Sequence, residues 1–355
     1  MAYSQVEKVK VYMREDAERH SEAEAVVHYM KIGLFTWVFN DRPLEDVLRF
    51  ASGLGYEAVE LAVDKGRDNH LNMDKVLSGG ATEFKRKVEN YGLEISALSS
   101  HIDSQLVGGP HGVDTDTIIK GTPEEKMRYG VDRMKKTVET AAALDVGVVN
   151  GFVGYENFSR WFVWPGGVEL WEEGYERIVE RWNPILDVFG DHGIRFAHEP
   201  FPQEQAFSTE TAEALLKAFD MRKEFGFNLD PANLLWCSVD PVVFVKRLRD
   251  RIYSVHAKDG ELVKENLGYS GSAATGDWRR FDRGFRFRVV GWGQTEWRRL
   301  LTALVMVKYD HVLSVEHEDP WLNRTDGCRK AINFLKPLIP EPAEEEWTRD
   351  RLDER

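Results

Sequence analysis

Short apolar runs alternate with longer amphipathic segments along most of the chain. The runs have the length of buried strands, and a segment with apolar residues on one helical face follows each of them. Eight strand-then-helix units predict a parallel sheet with helices outside it, and eight strands close a barrel. The predicted strands are 31–37, 57–62, 94–99, 146–152, 194–199, 225–230, 252–256 and 312–316. The predicted helices are 43–54, 82–92, 123–144, 170–191, 208–219, 240–250, 294–307 and 325–336.

Proline and glycine mark the ends of these helices. Pro43, Pro123 and Pro241 stand at first-turn positions, where a missing amide hydrogen costs nothing. Glycines recur where a helix turns back into a strand, at Gly53, Gly55, Gly92, Gly147 and Gly193. An open doubly wound sheet would need a Gly-rich loop after the first strand, and residues 36–41 contain no glycine. We therefore predict an α/β fold, a (β/α)8 TIM barrel.

The barrel pattern covers residues 30–340. Residues 1–29 are charged and weakly periodic, which predicts an N-terminal extension that is helical or disordered. Residues 341–355 are predicted to form an acidic C-terminal tail. Three of the strands are followed by long loops. Loops of this length are usually functional, and all three are expected at one rim of the barrel. These loops are 100–122, 153–169 and 257–293.

Composition excludes several classes of protein. The 355 residues are 42% hydrophobic and 30% charged, enough for a large core in one barrel domain. No apolar stretch reaches the roughly 20 residues of a membrane helix, and no basic-then-apolar leader indicates secretion. The two cysteines, Cys237 and Cys328, lack metal-ligand spacing, and we expect them reduced in a cytoplasmic protein. A net charge of −13 argues against nucleic acid as a partner.

Four acidic or imidazole side chains end the last four predicted strands. They are Glu199, Asp230, His256 and Glu316. A single residue of this kind more often caps a helix or forms a salt bridge. Here four of them end neighbouring strands, and because the strand ends of a parallel barrel meet at one rim, the four side chains are expected to converge. Three carboxylates and one imidazole suit a divalent cation, Mn²⁺ in the first place, with Mg²⁺ or Co²⁺ as alternatives. We therefore predict a metal site.

The same residues suit proton transfer beside a carbonyl. A dication chelated by vicinal sugar oxygens polarises a carbonyl and stabilises an enediolate. A carboxylate on either face can then remove and return a proton. Glu199 and Glu316 are expected to face each other across the barrel mouth. We predict that they are the catalytic acid/base pair of a sugar isomerase or epimerase acting through a metal-bound enediolate.

The ordered motifs at the strand ends resemble those of the xylose isomerase-like TIM barrels. That superfamily includes sugar phosphate isomerase/epimerase-type proteins, ketose 3-epimerases, hydroxypyruvate isomerases and inosose dehydratases. The resemblance runs from about Lys31 to Leu338, and it implies the same four metal ligands and the same two acid/base glutamates. The motifs are His198-Glu199-Pro200, Asn228-Leu229-Asp230-Pro231, Val255-His256-Ala257-Lys258-Asp259 and Ser314-Val315-Glu316-His317-Glu318-Asp319.

Other stretches resemble a bacterial branch that contains the larger subunits of C-glycoside deglycosidases. This branch implies metal-assisted elimination from a 3-keto-glycoside and a small partner subunit. The chain departs from it twice, because Phe201 and Asn233 stand where relatives often have histidine. Asn233 can donate a hydrogen bond but cannot shuttle a proton, so the lyase is weakened more than the epimerase. The stretches are 182–187, 195–199, 251–253 and 314–319.

Further rim residues are candidates for substrate contact. Lys258 either contacts a substrate oxygen or pairs with Asp259, and Glu60 is structural or accepts a substrate hydrogen bond. Arg288 resembles the family's substrate-contacting arginine, with a surface salt bridge as the alternative. The predicted substrate-binding residues are His101, Asn233, Lys258, Arg288 and Trp37, with Gln105 as a further candidate. An aromatic wall for the sugar, or ordinary rim packing, is predicted for Trp37, Phe39, Trp161, Trp164 and Trp292.

We therefore expect a cytoplasmic, metal-dependent isomerase or epimerase of a small polyol or keto-sugar. We expect a homo-oligomer that binds neither nucleic acid nor membrane. The lack of a Gly-rich phosphate cradle favours a non-phosphorylated sugar. The alternatives are a metal-dependent lyase or dehydratase on a keto-sugar or 3-keto-glycoside, with a small partner subunit, and a sugar-binding relative without catalysis. A DNA-repair endonuclease is the last alternative, because such an enzyme would need more histidines and a basic surface.

Overall fold

Eight parallel strands close into a barrel in the computed structural model, which describes residues 30–155 and 168–341. In chain order the strands are β1 (Lys31–Phe35), β2 (Ala58–Ala62), β3 (Glu94–Ser100), β4 (Val148–Gly151), β5 (Arg195–His198), β6 (Phe225–Leu229), β7 (Ile252–Ala257), β8 (Asp259–Leu262), β9 (Phe285–Arg288) and β10 (Val312–Val315). The barrel order is β1-β10-β7-β6-β5-β4-β3-β2, while β8 and β9 form a separate antiparallel ribbon. The predicted (β/α)8 TIM barrel is confirmed.

Helices follow the barrel strands as the amphipathic pattern predicts. They are α1 (Leu44–Leu54), α2 (Met73–Lys75), α3 (Ala81–Glu89), α4 (His101–Gly108), α5 (Pro123–Leu144), α6 (Val168–Asp191), α7 (Thr209–Ala218), α8 (Pro231–Trp236), α9 (Pro241–Leu248), α10 (Lys264–Ser270), α11 (Trp297–Met306) and α12 (Arg324–Leu335). Short 3₁₀ turns cover Thr36–Phe39, Val113–Thr117, Arg249–Arg251 and Lys336–Leu338, and a π turn covers Val76–Gly80. Each predicted helix boundary lies within three residues of the observed one.

Local chemistry fixes several of the helix starts. Thr122 and Glu125 form a capping box at α5, in which each side chain accepts a hydrogen bond from the other residue's backbone amide. Pro123 is the first residue of α5, as predicted. Pro43 is instead the residue before α1, so its place is one position earlier than predicted. These signals place α5 directly after the loop that follows β3.

Two segments that the sequence pattern assigns to loops contain regular structure. The segment 100–122 begins with α4, whose buried residues include His101, Asp103 and Ser104. Because these buried positions are polar, the helix shows no apolar stripe and its periodicity is hidden. The segment 257–293 contains β8, α10 and β9. In β9 the phenylalanines are buried and the arginines are half-buried, an alternation typical of a strand.

The compact unit that the structure describes spans Met30–Pro340. The predictions for residues 1–29 and 341–355 concern segments that, apart from Glu341, lie outside the described residues. The same holds for the predicted wall residues Trp161 and Trp164. Within the described residues, no helix is both long enough and apolar enough to cross a membrane.

Candidate metal centre and active site

The four predicted ligands come together at the C-terminal rim of the barrel. Glu199, Asp230 and Glu316 each follow a strand (β5, β6 and β10), and His256 is the penultimate residue of β7. One ligand atom from each residue lies within 4.8 Å of the others. All four side chains are buried; Glu316, the most accessible, is 8% exposed. Parallel strands that end at one rim therefore produce the convergence that the sequence pattern predicts.

The imidazole of His256 is oriented by Glu60 on the opposite side of the barrel. Nε2 of His256 lies 3.0 and 3.1 Å from the two carboxylate oxygens of Glu60. Since a carboxylate accepts hydrogen bonds, Nε2 carries a proton, and in a ring deprotonated by metal binding the lone pair would lie on Nδ1. Such a carboxylate–histidine pair is the usual support of a metal-binding imidazole. Glu60 therefore positions His256, which matches the structural alternative of the two predicted for it.

The free ring nitrogen of His256 points into the carboxylate cluster. Nδ1 lies 2.9 Å from Oε2 of Glu199 and 3.1 Å from Oε2 of Glu316. Neither contact has hydrogen-bond geometry, so Nδ1 is a buried polar atom without a hydrogen-bond partner among the described residues. Burial disfavours a charged ring, but Glu60, Glu199 and Glu316 outweigh it and raise the pKa of His256 well above its ordinary value. The cluster thus attracts positive charge, and its oxygen and nitrogen donors fit a dication.

Three side chains contact the carboxylate of Glu199 at hydrogen-bond distance. Its Oε1 accepts from Asn233 at 2.7 Å, and its Oε2 accepts from Asn228 at 2.8 Å. Nε2 of His101 lies 3.0 Å from the same Oε2. Burial works against ionisation, but His256 and His101 hold the pKa of Glu199 well below its ordinary value. The carboxylate is therefore ionised and fixed in orientation.

Asp230 serves two structural purposes at once. Its Oδ1 accepts from the backbone amides of Ala232 and Asn233 at 2.8 and 3.1 Å, which caps α8. Its Oδ2 accepts from the side chains of Asn233 and Lys258 at 3.0 and 2.8 Å. Burial, together with Glu199 and Glu316, raises the pKa of Asp230 to about 7, although Lys258 opposes this shift. One oxygen therefore holds the helix, while the other faces the cluster.

Lys258 places its ammonium among the candidate ligands. Nζ lies 2.8 Å from Asp230, 2.8 Å from Glu316 and 3.1 Å from Glu318. Burial alone would raise the pKa of Glu316, but Lys258 and His256 lower it to about 2. The alternative of a Lys258–Asp259 pair is wrong, because Asp259 accepts instead from backbone amides and an indole. Lys258 is therefore part of the site.

A cavity of about 350 Å³ opens above the cluster, a size typical of small-ligand sites. Of the four candidate ligands, Glu199 and Glu316 line it. His101 and Lys258, two of the predicted substrate-binding residues, line it as well. Its aromatic lining consists of Phe35, Phe152, Phe201, Trp278 and Phe287. The two glutamates predicted to transfer protons thus face the space in which a substrate would lie.

The other predicted substrate-contact residues do not line this cavity. Asn233 is fully buried and bonds to Glu199 and Asp230, so it supports the cluster from below the cavity. Arg288 pairs with Glu261 at 2.6 Å and lies 3.5 Å from Asp319, which matches its salt-bridge alternative. Gln105 donates to the backbone carbonyl of Gly109. Trp37 borders a neighbouring cavity.

The observed aromatic lining differs from the predicted wall. Phe39 is fully buried in the hydrophobic core, and Trp292 is 49% exposed and lines none of the described cavities. Two residues that sequence reasoning missed carry the same signal as the ligands, since Phe35 ends β1 and Phe152 follows β4. Trp278 and Phe287 come from the β8–β9 segment. Neither residue stands at the end of a barrel strand, so the sequence does not indicate that they reach the cavity.

Fold and site together define a parallel (β/α)8 barrel with a candidate divalent-metal centre at its C-terminal rim. The family model described as xylose isomerase-like TIM barrel matches residues 48–338. The chain therefore belongs to the xylose isomerase-like TIM barrel family, and the resemblance of its strand-end motifs is confirmed at this level. The likeness to the C-glycoside deglycosidase branch stays a prediction.

One sequence relative and three solved structures resemble this chain. The uncharacterized protein YfiH of Bacillus subtilis (strain 168) is 25% identical over 337 residues, covering 88% of this chain and 100% of YfiH. The D-allulose 3-epimerase of Methylomonas sp. is 15% identical, with a TM-score of 0.61 over 88% of this chain and 99% of that one. The probable 3-DHS dehydratase AsbF of Bacillus anthracis is 18% identical, with a TM-score of 0.62 over 86% and 99%. The IOLI protein with a bound zinc atom is 16% identical, with a TM-score of 0.62 over 89% and 100%.

Proposed function

We propose that this protein is a divalent-metal-dependent isomerase or epimerase of a small polyol or keto-sugar. The observation that carries the proposal is the arrangement of Glu199 and Glu316. Both carboxylates line one cavity, and both approach Nδ1 of His256 to about 3 Å. The epimerase and the zinc-containing structure with the same fold support this class of reaction.

The proposed roles follow from the positions of the side chains. Glu199, Asp230, His256 and Glu316 would hold the cation, with Mn²⁺ the best match to three carboxylates and one imidazole. A bound dication supplies Lewis-acid polarisation of a substrate carbonyl. One glutamate accepts the proton from the neighbouring carbon. The other, which first takes up a proton from solvent, donates it to the opposite face of the resulting enediolate, and the first glutamate then releases its proton to solvent. The phenylalanine side chains of the lining give the substrate an apolar surface to lie against.

A metal-dependent dehydratase or lyase is the second candidate, favoured by one observation. The ammonium of Lys258 lines the cavity, where it can donate a proton to a departing oxygen. Elimination requires such an acid, whereas epimerisation needs only the two carboxylates. Loss of water or of an aglycone from a keto-sugar substrate would identify this reaction.

Solvent deuterium tests the proposed proton transfer. The protein, supplied with Mn²⁺, is incubated in D₂O with a panel of ketoses, and deuterium at the carbon beside the carbonyl is measured by NMR. We expect incorporation by the wild type and a loss of at least about a hundredfold in Glu199→Gln and in Glu316→Gln, because an amide cannot accept the proton. Glu89→Gln, an exposed change on α3, is the control. Undiminished exchange in Glu316→Gln would rule out its assigned role.

A further inference from the structure

A second and larger cavity, of about 760 Å³, lies on the rim beside the inner one. The two cavities share Trp278 and Glu318 as lining residues. Glu318 also contacts Lys258 at 3.1 Å, which connects this boundary to the candidate metal cluster. The outer cavity is further lined by Trp37, Asn40, Asp41, Asn69, Arg279 and Arg324. The two cavities are therefore adjacent compartments, with Trp278 and Glu318 at their boundary.

Two tryptophans at the outer cavity are held in place by arginines. The guanidinium of Arg67 lies 3.9 Å from the ring centroid of Trp37, and that of Arg283 lies 4.0 Å from the ring centroid of Trp278. Arg67 itself lines the inner cavity, so it joins the two compartments. A fixed aromatic surface offers a large contact area at little entropic cost, which suits the apolar face of a sugar ring.

The polar groups of the outer cavity suit hydroxyl groups. Oδ1 of Asn40 is buried and accepts no hydrogen bond from the described residues, an arrangement that is unfavourable unless a ligand supplies a donor. The loop that carries Asn40 is held by Asn69, whose side chain donates to the Asn40 carbonyl at 2.8 Å. Arg324 is paired with Asp41 at 2.7 Å, so its charge is compensated. The carboxylates of Asp41, Glu318 and Asp319 also outnumber the two guanidinium groups in this lining, those of Arg279 and Arg324, which favours a neutral polyhydroxylated ring over a phosphate.

We propose that the outer cavity is a second sugar subsite, so that the substrate is a disaccharide-sized glycoside. Its keto-sugar ring enters the inner cavity, and its second ring packs against Trp37 and Trp278 while one hydroxyl donates to Asn40. This proposal rests on the proposed function of the inner site. It adds that the substrate carries a second ring, which no comparison with known proteins indicates.

Sugar binding tests the second subsite without relying on turnover. Dissociation constants are measured by calorimetry, with Mn²⁺ present, for fructose and for turanose, maltulose, lactulose and isomaltulose, four disaccharides with a fructose unit. We expect at least one disaccharide to bind about tenfold more tightly than fructose. Trp37→Ala should reduce this preference to less than about threefold, because the stacking surface is lost. Asn40→Ala should weaken the disaccharide more than fructose.

The control is Trp292→Ala, which removes an exposed rim tryptophan that lines neither cavity and should keep the preference. Equal affinity for fructose and all four disaccharides, or no binding of any disaccharide, would overturn the second subsite. Deuterium exchange into a ketose in the same samples reports on the inner site alone. Exchange without a disaccharide preference removes the subsite and keeps the proposed function. If the wild type prefers a disaccharide, Trp37→Ala loses that preference, and no deuterium is exchanged into any ketose, then the second subsite is kept and the proposed function is removed.

Discussion

The ammonium of Lys258 competes for the carboxylates that a metal ion would use. Its contacts with Asp230 and Glu316, both at 2.8 Å, neutralise part of the cluster in the metal-free protein. Because the ammonium is only 3% exposed, these contacts are poorly screened. Lys258 is thus a built-in counter-ion for the candidate ligands. Its removal should have opposite effects on metal-free stability and on metal affinity.

We expect Lys258→Met to lower the free energy of unfolding of the metal-free protein by about 3 kcal/mol, because it leaves buried carboxylates unpaired. The same change should tighten Mn²⁺ binding by at least about tenfold, because a like charge is removed from the cluster. Urea denaturation with a chelator and calorimetry with Mn²⁺ measure the two effects. Lys136→Met, which breaks a more exposed pair with Asp74, should do neither. Weaker Mn²⁺ binding by Lys258→Met would contradict the counter-ion role.

Glu60 is expected to affect metal affinity through its contact with His256, which only the folded barrel brings about. We expect Glu60→Gln to weaken Mn²⁺ binding by about 10–100-fold, because the imidazole of His256 loses the partner that fixes its orientation. Calorimetric titration with Mn²⁺ measures the change. Glu57→Gln is the matched control, since Glu57 is exposed and its carboxylate accepts from the backbone amide of Ile32 at 3.2 Å. Equal affinities of wild type and Glu60→Gln would show that His256 needs no such support.

At the scale of elements, the strands and helices that could be predicted from the sequence are those with a local apolar pattern. The barrel strands are short runs such as Phe225–Leu229, in which every residue is buried, so an apolar run identifies each strand and its end. The closed barrel then brings the four strand-end residues together. Contacts between distant segments leave no such pattern, and Lys258 reaches Glu316 across 58 positions of the sequence. The same reason explains why α4, with its buried polar residues, and the β8–β9 ribbon are missed.

Asp259, which is fully buried, joins the start of the β8–β9 ribbon to the segment that follows β9 and to the first residue of α11. Its carboxylate accepts from the amides of Gly260, Gly291 and Thr295 and from the indole of Trp297, all between 2.9 and 3.1 Å. We expect Asp259→Ala to cost about 3 kcal/mol of unfolding free energy, because several buried donors lose their acceptor. Amide exchange in β9 should accelerate more than exchange in the barrel strands.

Hydrogen exchange followed by mass spectrometry and urea denaturation measure these two effects. The control is Asp277→Ala, because Asp277 is exposed and its carboxylate accepts from the local amide of Arg279. It should change the unfolding free energy by no more than about 0.5 kcal/mol. Unaltered exchange in β9 of Asp259→Ala would show that the ribbon is held by its other contacts.

At the scale of the whole molecule, Glu204 links stability to pH. Burial raises its pKa to about 8, against an ordinary value of 4.5, although Gln105 and the amide of Gly154 favour the ionised form. Between these values the folded protein retains a proton that the unfolded chain releases. Stability from this group is therefore complete below about pH 4.5 and falls as pH rises towards 8, by at most about 1.4 kcal/mol per pH unit.

We expect Glu204→Gln, which stays neutral, to lose this contribution to the pH dependence. Relative to the wild type, its unfolding free energy should rise between about pH 5 and about pH 8. Urea denaturation across that range measures the difference, and Glu89→Gln, an exposed change, should run parallel to the wild type. Parallel curves for Glu204→Gln and the wild type would show that Glu204 is already ionised at neutral pH.

The candidate ligands stand on barrel strands or directly after them, whereas part of the cavity lining comes from the segment between β7 and β10. The scaffold that holds the cluster is therefore built from a different part of the chain than this section of the cavity lining. A duplicated gene could acquire a new sugar preference through changes confined to residues 263–284, which include Trp278, without losing its cation. Directed evolution restricted to that stretch should yield altered specificity far more often than inactive protein.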